Sequence, residues 1–111
     1  MNAKKLVNHR GKLQQKVTSD SSGKTQWWKN WKNHRDGDKP AVILVNGTLY
    51  WYQNGELHRD GDKPAIIEKN GTQKWYRNGK LHRDGDKPAI IETNGIWVWS
   101  QHGKQIGRAH V

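Results

Sequence analysis

His34-Arg35-Asp36-Gly37-Asp38-Lys39-Pro40-Ala41 recurs without a change at residues 58–65 and again at residues 82–89, a period of 24 residues. Three identical copies of a loop-like segment ask for a physical reason, and a fixed period of this length marks a repeat architecture. The register runs well beyond the octapeptide. Trp27, Trp51, Trp75 and Trp99 fall in one column, and Gly23, Gly47, Gly71 and Gly95 in a second. Asn30, Asn54 and Asn78 form a third, and Gly55, Gly79 and Gly103 a fourth. The ends depart from the pattern. Ile106-Gly107-Arg108 stand where a fourth His-Arg-Asp would fall, and His9-Arg10 reads as a displaced remnant of the pair. End units cap an array instead of stacking on a neighbour, so atypical ends are expected.

Each unit reads as hairpin material. Ala65-Ile66-Ile67-Glu68-Lys69 is a short strand-like run, Asn70-Gly71 follows, then residues 72–77 with Trp75 and Tyr76, then Asn78-Gly79. Asn-Gly between strand-like runs signals a type I′ turn, which needs positive φ at both central residues. Five such pairs occur, beginning at Asn46, Asn54, Asn70, Asn78 and Asn94, and each predicts a tight reversal. Pro40, Pro64 and Pro88 stand at strand entries, where a missing N–H is tolerated. No long stretch has helical periodicity. The expectation is an all-β fold: tandem β-hairpin repeats forming an elongated antiparallel meander. Residues 1–12 are expected to be a basic N-terminal arm, loose from the rest, and residues 13–111 a single β-repeat domain with atypical end caps. Residues 13–17 and 24–28 are expected to form a degenerate first hairpin around residues 19–23.

With no Phe, few aliphatics and 7 Trp, the core must be thin and rich in Trp and Ile. The chain has no Cys, so disulfides, thiolate metal sites and cysteine nucleophiles are excluded. No apolar run approaches the ~20 residues of a membrane span, and no apolar leader follows Lys4 and Lys5. A cytoplasmic protein is the expectation. The net charge is +10, unevenly placed: residues 1–33 carry eight Lys and Arg against Asp20 alone, and the remainder twelve against nine acids. A positive field concentrated in the first third favours phosphate-bearing partners or anionic surfaces.

The columns Trp-Tyr-x-Asn-Gly-x-Leu-His-Arg and Pro-Ala-Ile-Ile-Glu-x-Asn-Gly-Thr resemble MORN-variant repeats, over about residues 24–104. Trp51-Tyr52-Gln53-Asn54-Gly55 and Trp75-Tyr76-Arg77-Asn78-Gly79 carry the likeness most clearly. In place of the Tyr-x-Gly rhythm of ordinary MORN units, this chain has the His-Arg-Asp-Gly-Asp-Lys-Pro loop. The resemblance implies consecutive hairpins in an extended sheet, and binding of lipids, proteins or other ligands in place of catalysis. Such repeats occur in bacterial, bacteriophage and large-virus proteins, some of them antitoxin-like. The setting it implies is the cytoplasm of a bacterial or phage-infected cell.

Two readings of the octapeptide stay open. In one, Arg35, Arg59 and Arg83, with His34, His58 and His82, form a ladder along one edge of the sheet. Its step is ~10 Å for a two-stranded unit, or ~14 Å with a third strand. Such a ladder grips phosphate or carboxylate bidentately. In the other, Arg of one unit pairs with Asp of the next, Asp-Gly-Asp is a tight turn, and His buttresses the loop. The local charges cancel, as that architectural reading requires. His-x-Asp-x-Asp also offers one imidazole and two carboxylates, but the interleaved Arg and Lys repel a cation and no Glu completes a calcium loop. No metal and no cofactor is expected. His-Arg-Asp matches the kinase catalytic loop only by chance, since the chain is short and lacks the Gly-rich loop. Ser19, Ser21, Ser22 and Ser100 lie in no nucleophile elbow, so no enzyme is expected.

The most unusual segment is Lys24-Thr25-Gln26-Trp27-Trp28-Lys29-Asn30-Trp31-Lys32-Asn33. Trp31 replaces the turn glycine of the later units, which predicts a broken Asn-Gly turn. Trp27, Trp28 and Trp31 interleaved with Lys24, Lys29 and Lys32 resemble a stacking platform beside cations. The alternative is an end cap, with bulky Trp covering the last apolar layer and Lys deterring edge pairing. Adjacent Trp and Tyr point to opposite sides of a strand, so aromatics on both faces predict a homodimer. The expected function is non-catalytic binding of an anionic, phosphate-bearing partner. That partner is a nucleic acid, or a nucleotide-like small molecule held as by a phage sequestering protein. The alternative is a protein-interaction module, such as an antitoxin or counter-defence inhibitor.

Overall fold

Short strands punctuated by left-handed turn residues build one long sheet. A computed structural model describes residues 2–7 and 13–111, with side chains from residue 15 onward. Strands β1 (Asn2–Val7), β2 (Leu13–Ser19) and β3 (Thr25–Lys29) open the chain, and β4 (Lys32–Asn33) folds back on β3. The next unit gives β5 (Val42–Ile43), β6 (Leu49–Tyr50), β7 (Tyr52–Gln53) and β8 (Glu56–Leu57). The one after gives β9 (Ile66–Ile67), β10 (Gln73–Lys74), β11 (Tyr76–Arg77) and β12 (Lys80–Leu81). β13 (Ile90–Ile91), β14 (Ile96–Gln101) and β15 (Lys104–His110) close the array. The main sheet runs β1-β2-β3-β5-β6-β9-β10-β13-β14-β15, and its neighbours pair antiparallel. β4 and the small hairpins β7–β8 and β11–β12 lie off that path. Ten strands at ~4.8 Å spacing account for the longest dimension, 51 Å. The fold is all-β, and among the described residues no helix is long and apolar enough to cross a membrane.

The unit step is the two-strand one. Lys80-Leu81 stays in its own small hairpin with Tyr76-Arg77 and adds no third strand to the main sheet. Residues 2–7, expected in a loose arm, form β1 and pair along β2 from Asn2↔Ser19 to Val7↔Leu13. The remainder of that arm, including His9-Arg10, lies outside the described residues. The first hairpin forms where expected, with Val17↔Trp27 at its centre.

The turns divide into two kinds. At Asn54-Gly55 and Asn78-Gly79 both residues have positive φ (51° and 85°, 50° and 80°), the type I′ signature. At Asn46, Asn70 and Asn94 only the following glycine does, with φ between 91° and 96°. There the reversal starts two residues earlier: Gly47 N–H donates to Leu44 C=O, and Asn46 Oδ1 accepts the Thr48 N–H. That is a type I turn with a glycine bulge, so the type I′ expectation holds at two of the five pairs. The Asn30-Trp31 turn, expected to be broken, keeps the type I′ form with φ 49° and 67°. Pairing of Trp28 with Asn33 and Lys29 with Lys32 imposes it. A bulky L residue held in this region costs ~1–2 kcal/mol.

The core is one side chain deep. Ala41, Ala65 and Ala89 are fully buried, with Val42, Ile66, Val98, Trp51 and Trp75 beside them. Each alanine ties two strands. Ala65 N–H donates to Lys74 C=O, and its own C=O accepts the Trp51 N–H. A ring the size of Trp buries about 150–250 Å², so these two indoles dominate a core this thin.

Candidate binding site at the N-terminal end

The octapeptide folds around its own unit's tryptophan. His58 N–H donates to Trp51 C=O, which closes the small hairpin and brings Arg59 onto the indole. The guanidinium carbon lies 3.8 Å from the Trp51 ring centre, and the Arg83–Trp75 and Arg35–Trp27 stacks match at 3.8 and 3.7 Å. Nη1 of each Arg donates to the proline carbonyl five residues on, at 3.0–3.2 Å. In the later two copies the other edge is also filled. Arg59 Nε and Nη2 donate to Asp38 at 2.8 and 3.4 Å, and Lys63 Nζ joins at 2.9 Å. Arg83 and Lys87 hold Asp62 in the same way. Asp38 and Asp62 follow Gly37 and Gly61 at positive φ, which turns each carboxylate toward the following unit. The neighbouring Arg and Lys hold both carboxyls down at a pKa of about 2. The pairing therefore runs from each Arg to the Asp of the preceding unit, the reverse of the direction expected, and it engages Arg59 and Arg83 within the chain.

The histidines are latches. Nε2 of His34, His58 and His82 lies 2.8 Å from the Asp two residues on. Nδ1 accepts the N–H of Asn54, Asn78 and His102, the turn residues of the next unit. An Nδ1 that accepts leaves the ring neutral with its proton on Nε2, donated to the carboxylate. Within one loop the two aspartates diverge, Asp36 to its histidine and Asp38 to the next unit. Among the described residues no three His, Asp or Glu converge on a possible metal position.

The first copy is filled differently. Among the described residues no carboxylate meets Arg35 Nε or Nη2, and none meets Lys39. The sequence says why: Gln14 stands one period before Asp38, and no acid occurs before Asp20. A cavity of about 190 Å³ opens there, lined by Gln15, Trp27, Trp28, His34, Arg35, Asp36 and Lys39. Partial burial pushes the Arg35 guanidinium pKa down.

Of the other expected site residues, Trp28 leaves the opposite face of β3, whereas Lys29 and its cross-strand partner Lys32 share the Trp27 face, where Lys29 acts on Asp36. Trp27 and Trp28 are consecutive in the strand, so their indoles leave on opposite sides. Trp28 Nε1 donates to Thr18 Oγ1 at 2.9 Å, which pins that ring on β2. Trp31 is 73% exposed at the hairpin tip, with Lys16 Nζ 5.9 Å from its ring centre. Lys29 and Lys32 flank that tip as a pair. Lys24 lies at the far end of β3, its N–H bonded to Asp20 in the preceding turn, and does not join the group. Trp27 and Trp28 both line the cavity beside Arg35, while Trp31 stands apart at the exposed hairpin tip. Sequence reading passed over Lys16, which the first hairpin's register places opposite Trp28. It also passed over Lys39, for which the missing upstream acid was the available signal.

This geometry defines a tandem β-hairpin repeat protein whose Arg–Asp interlock is left open at its first unit. No model of a known family matches the chain, and no curated protein or solved structure matches it.

Proposed function

We propose that this protein is a non-catalytic binding module for an anionic, phosphate-bearing partner, a nucleic acid or a nucleotide, engaged at the Trp28–Trp31 side of its N-terminal end. The observation that supports this reading is Trp31. A bulky exposed indole occupies a left-handed turn position that glycine fills in the later units, and such outliers cluster where a surface is used. Lys16 beside the ring supplies charge next to a stacking face, and Lys29 and Lys32 add to the positive field from the other side of the strand. A base stacked on an indole is worth ~1–3 kcal/mol. A phage-type sequestering role and membership of the MORN-variant repeats belong to the same proposal.

The test is a titration with a single-stranded oligonucleotide and with a nucleoside triphosphate, at rising salt. Affinity should fall steeply as salt rises. Trp28→Ala combined with Trp31→Ala should weaken binding about 10-fold or more in a chain that still folds, at a lowered melting temperature because Trp28 is half-buried and bonded to Thr18. Undiminished affinity in that double variant would sink the platform. The second reading is a protein-interaction module of the antitoxin or inhibitor kind. It is favoured by one observation, the carboxylates that fill the later two Arg sites, and it predicts a salt dependence shallower than that of a polyanion.

A further inference from the structure

We propose that Arg35, Lys39 and Trp27 form a receptor for a carboxylate supplied by another protein, an Asp or Glu side chain presented on an acidic turn. This inference goes beyond the phosphate reading and stands on other residues, Arg35, Lys39 and Trp27, in an opening that Trp28 also lines. The argument is internal to the chain. The same octapeptide occurs three times, and in the later two copies its Arg–Lys edge holds a carboxylate: Asp38 on Arg59 and Lys63, Asp62 on Arg83 and Lys87. The receptor of the first copy is built to the same plan. Arg35 lies on Trp27 at 3.7 Å, and Nη1 is fixed by Pro40 C=O, so the orientation of the guanidinium is already set. The two donors that remain are those that grip Asp38 and Asp62 in the later copies. What the first copy lacks is the guest. The preceding unit offers Gln15 where the later grooves receive an Asp-Gly-Asp turn, and residues 1–19 contain no acid that could take its place.

The guest's chemistry follows from the precedent. A carboxylate accepts the parallel Nε and Nη2 donors, and Lys39 closes on its second oxygen as Lys63 does on Asp38. The chain itself presents its carboxylates from left-handed Asp residues after glycine, so an acidic Gly-Asp turn of a partner fits this opening. Set orientation also limits the ordering cost of binding.

The experiment is an NMR titration of the whole chain, read at the three Arg Nε–H and the Trp Nε1–H signals. The probe is a capped Gly-Asp-Gly peptide, with capped Gly-Asn-Gly and inorganic phosphate as comparators. The Arg35 and Trp27 signals should move with Gly-Asp-Gly and stay still with Gly-Asn-Gly, while Arg59 and Arg83 remain fixed. Arg35→Gln should weaken the probe about 10- to 100-fold, the worth of a charge-assisted bidentate contact. Gln15 lines the opening and its Nε2 donates to Asp36, so Gln15→Glu places a second negative charge there and should weaken the probe without unfolding the chain. The proposal is overturned if Arg35 does not respond, if all three Arg respond alike, or if binding survives both variants. Phosphate binding more tightly than the peptide would overturn the carboxylate assignment. Oligonucleotide binding at Trp31 would leave it standing.

Discussion

Arg59 and Arg35 belong to identical octapeptides and lie on equivalent indoles, yet one is closed inside the protein and the other is open. The difference arises 24 residues upstream, where Asp38 has a counterpart in Gln14. A repeat can thus carry one side chain in two roles, with the neighbouring unit deciding which. In the second and third copies the Arg binds unit to unit. In the first copy the same donors have no partner among the described residues and face a cavity.

Four measurements would break or sharpen that comparison. The largest effect should come from the indoles beneath the guanidinium groups. Trp51→Ala should cost about 3–5 kcal/mol in urea unfolding, and Trp27→Ala clearly less, because Trp51 is 5% exposed and Trp27 only half-buried. Equal losses would mean that the first unit is as tightly built as the second. Next is acid. Asp38 and Asp62 have folded pKa values of about 2, below the unfolded value, so their stabilisation is complete above about pH 4. It should drain away as pH falls toward about 2. Both side chains are exposed by 42–43%, so the pair is worth together on the order of 2 kcal/mol after discounting. Stability measured from pH 7 to pH 2 should fall less in a variant carrying Asp38→Asn and Asp62→Asn. A parallel fall in both proteins would refute the assignment.

Third, Arg59→Gln should lower stability more than Arg35→Gln, by about 1 kcal/mol. Only Arg59 binds an aspartate of its own chain, and thermal melts of the two variants would show no gap if the interlock contributes nothing. The smallest effect is a gain. Trp31→Gly restores the residue the turn prefers and should raise stability by up to about 1 kcal/mol, while removing the exposed indole. A loss of stability would mean that Trp31 packs as a cap.

Much of this fold was legible in the sequence because the repeat is enforced by local chemistry. Turn residues at fixed offsets set the hairpins, and the Trp column set the core. The turn geometry was less legible. Asn54-Gly55 and Asn46-Gly47 are the same dipeptide, but the second lies at the end of a longer reversal, closed by the Leu44 carbonyl and the Asn46 side chain. The Trp31 turn was misread because propensity disfavours a bulky left-handed residue, whereas strand pairing on either side outweighs that cost. The charges of the octapeptide could be seen to cancel, but not which neighbour each Asp engages. That depends on the left-handed backbone at Asp38 and Asp62, a property of the folded turn. The open state of Arg35 was readable only by looking for an acid that is missing.

The interlock also has a direction. It begins with a guanidinium that meets no carboxylate among the described residues and runs to Asp86, with Gly107 and Val111 where the next Arg and Lys would stand. Surplus cation concentrated in the first third, against a nearly balanced far end, gives the 51 Å long axis an uneven charge. Such a molecule approaching a polyanion is turned by torque before it touches, arriving with its first unit foremost.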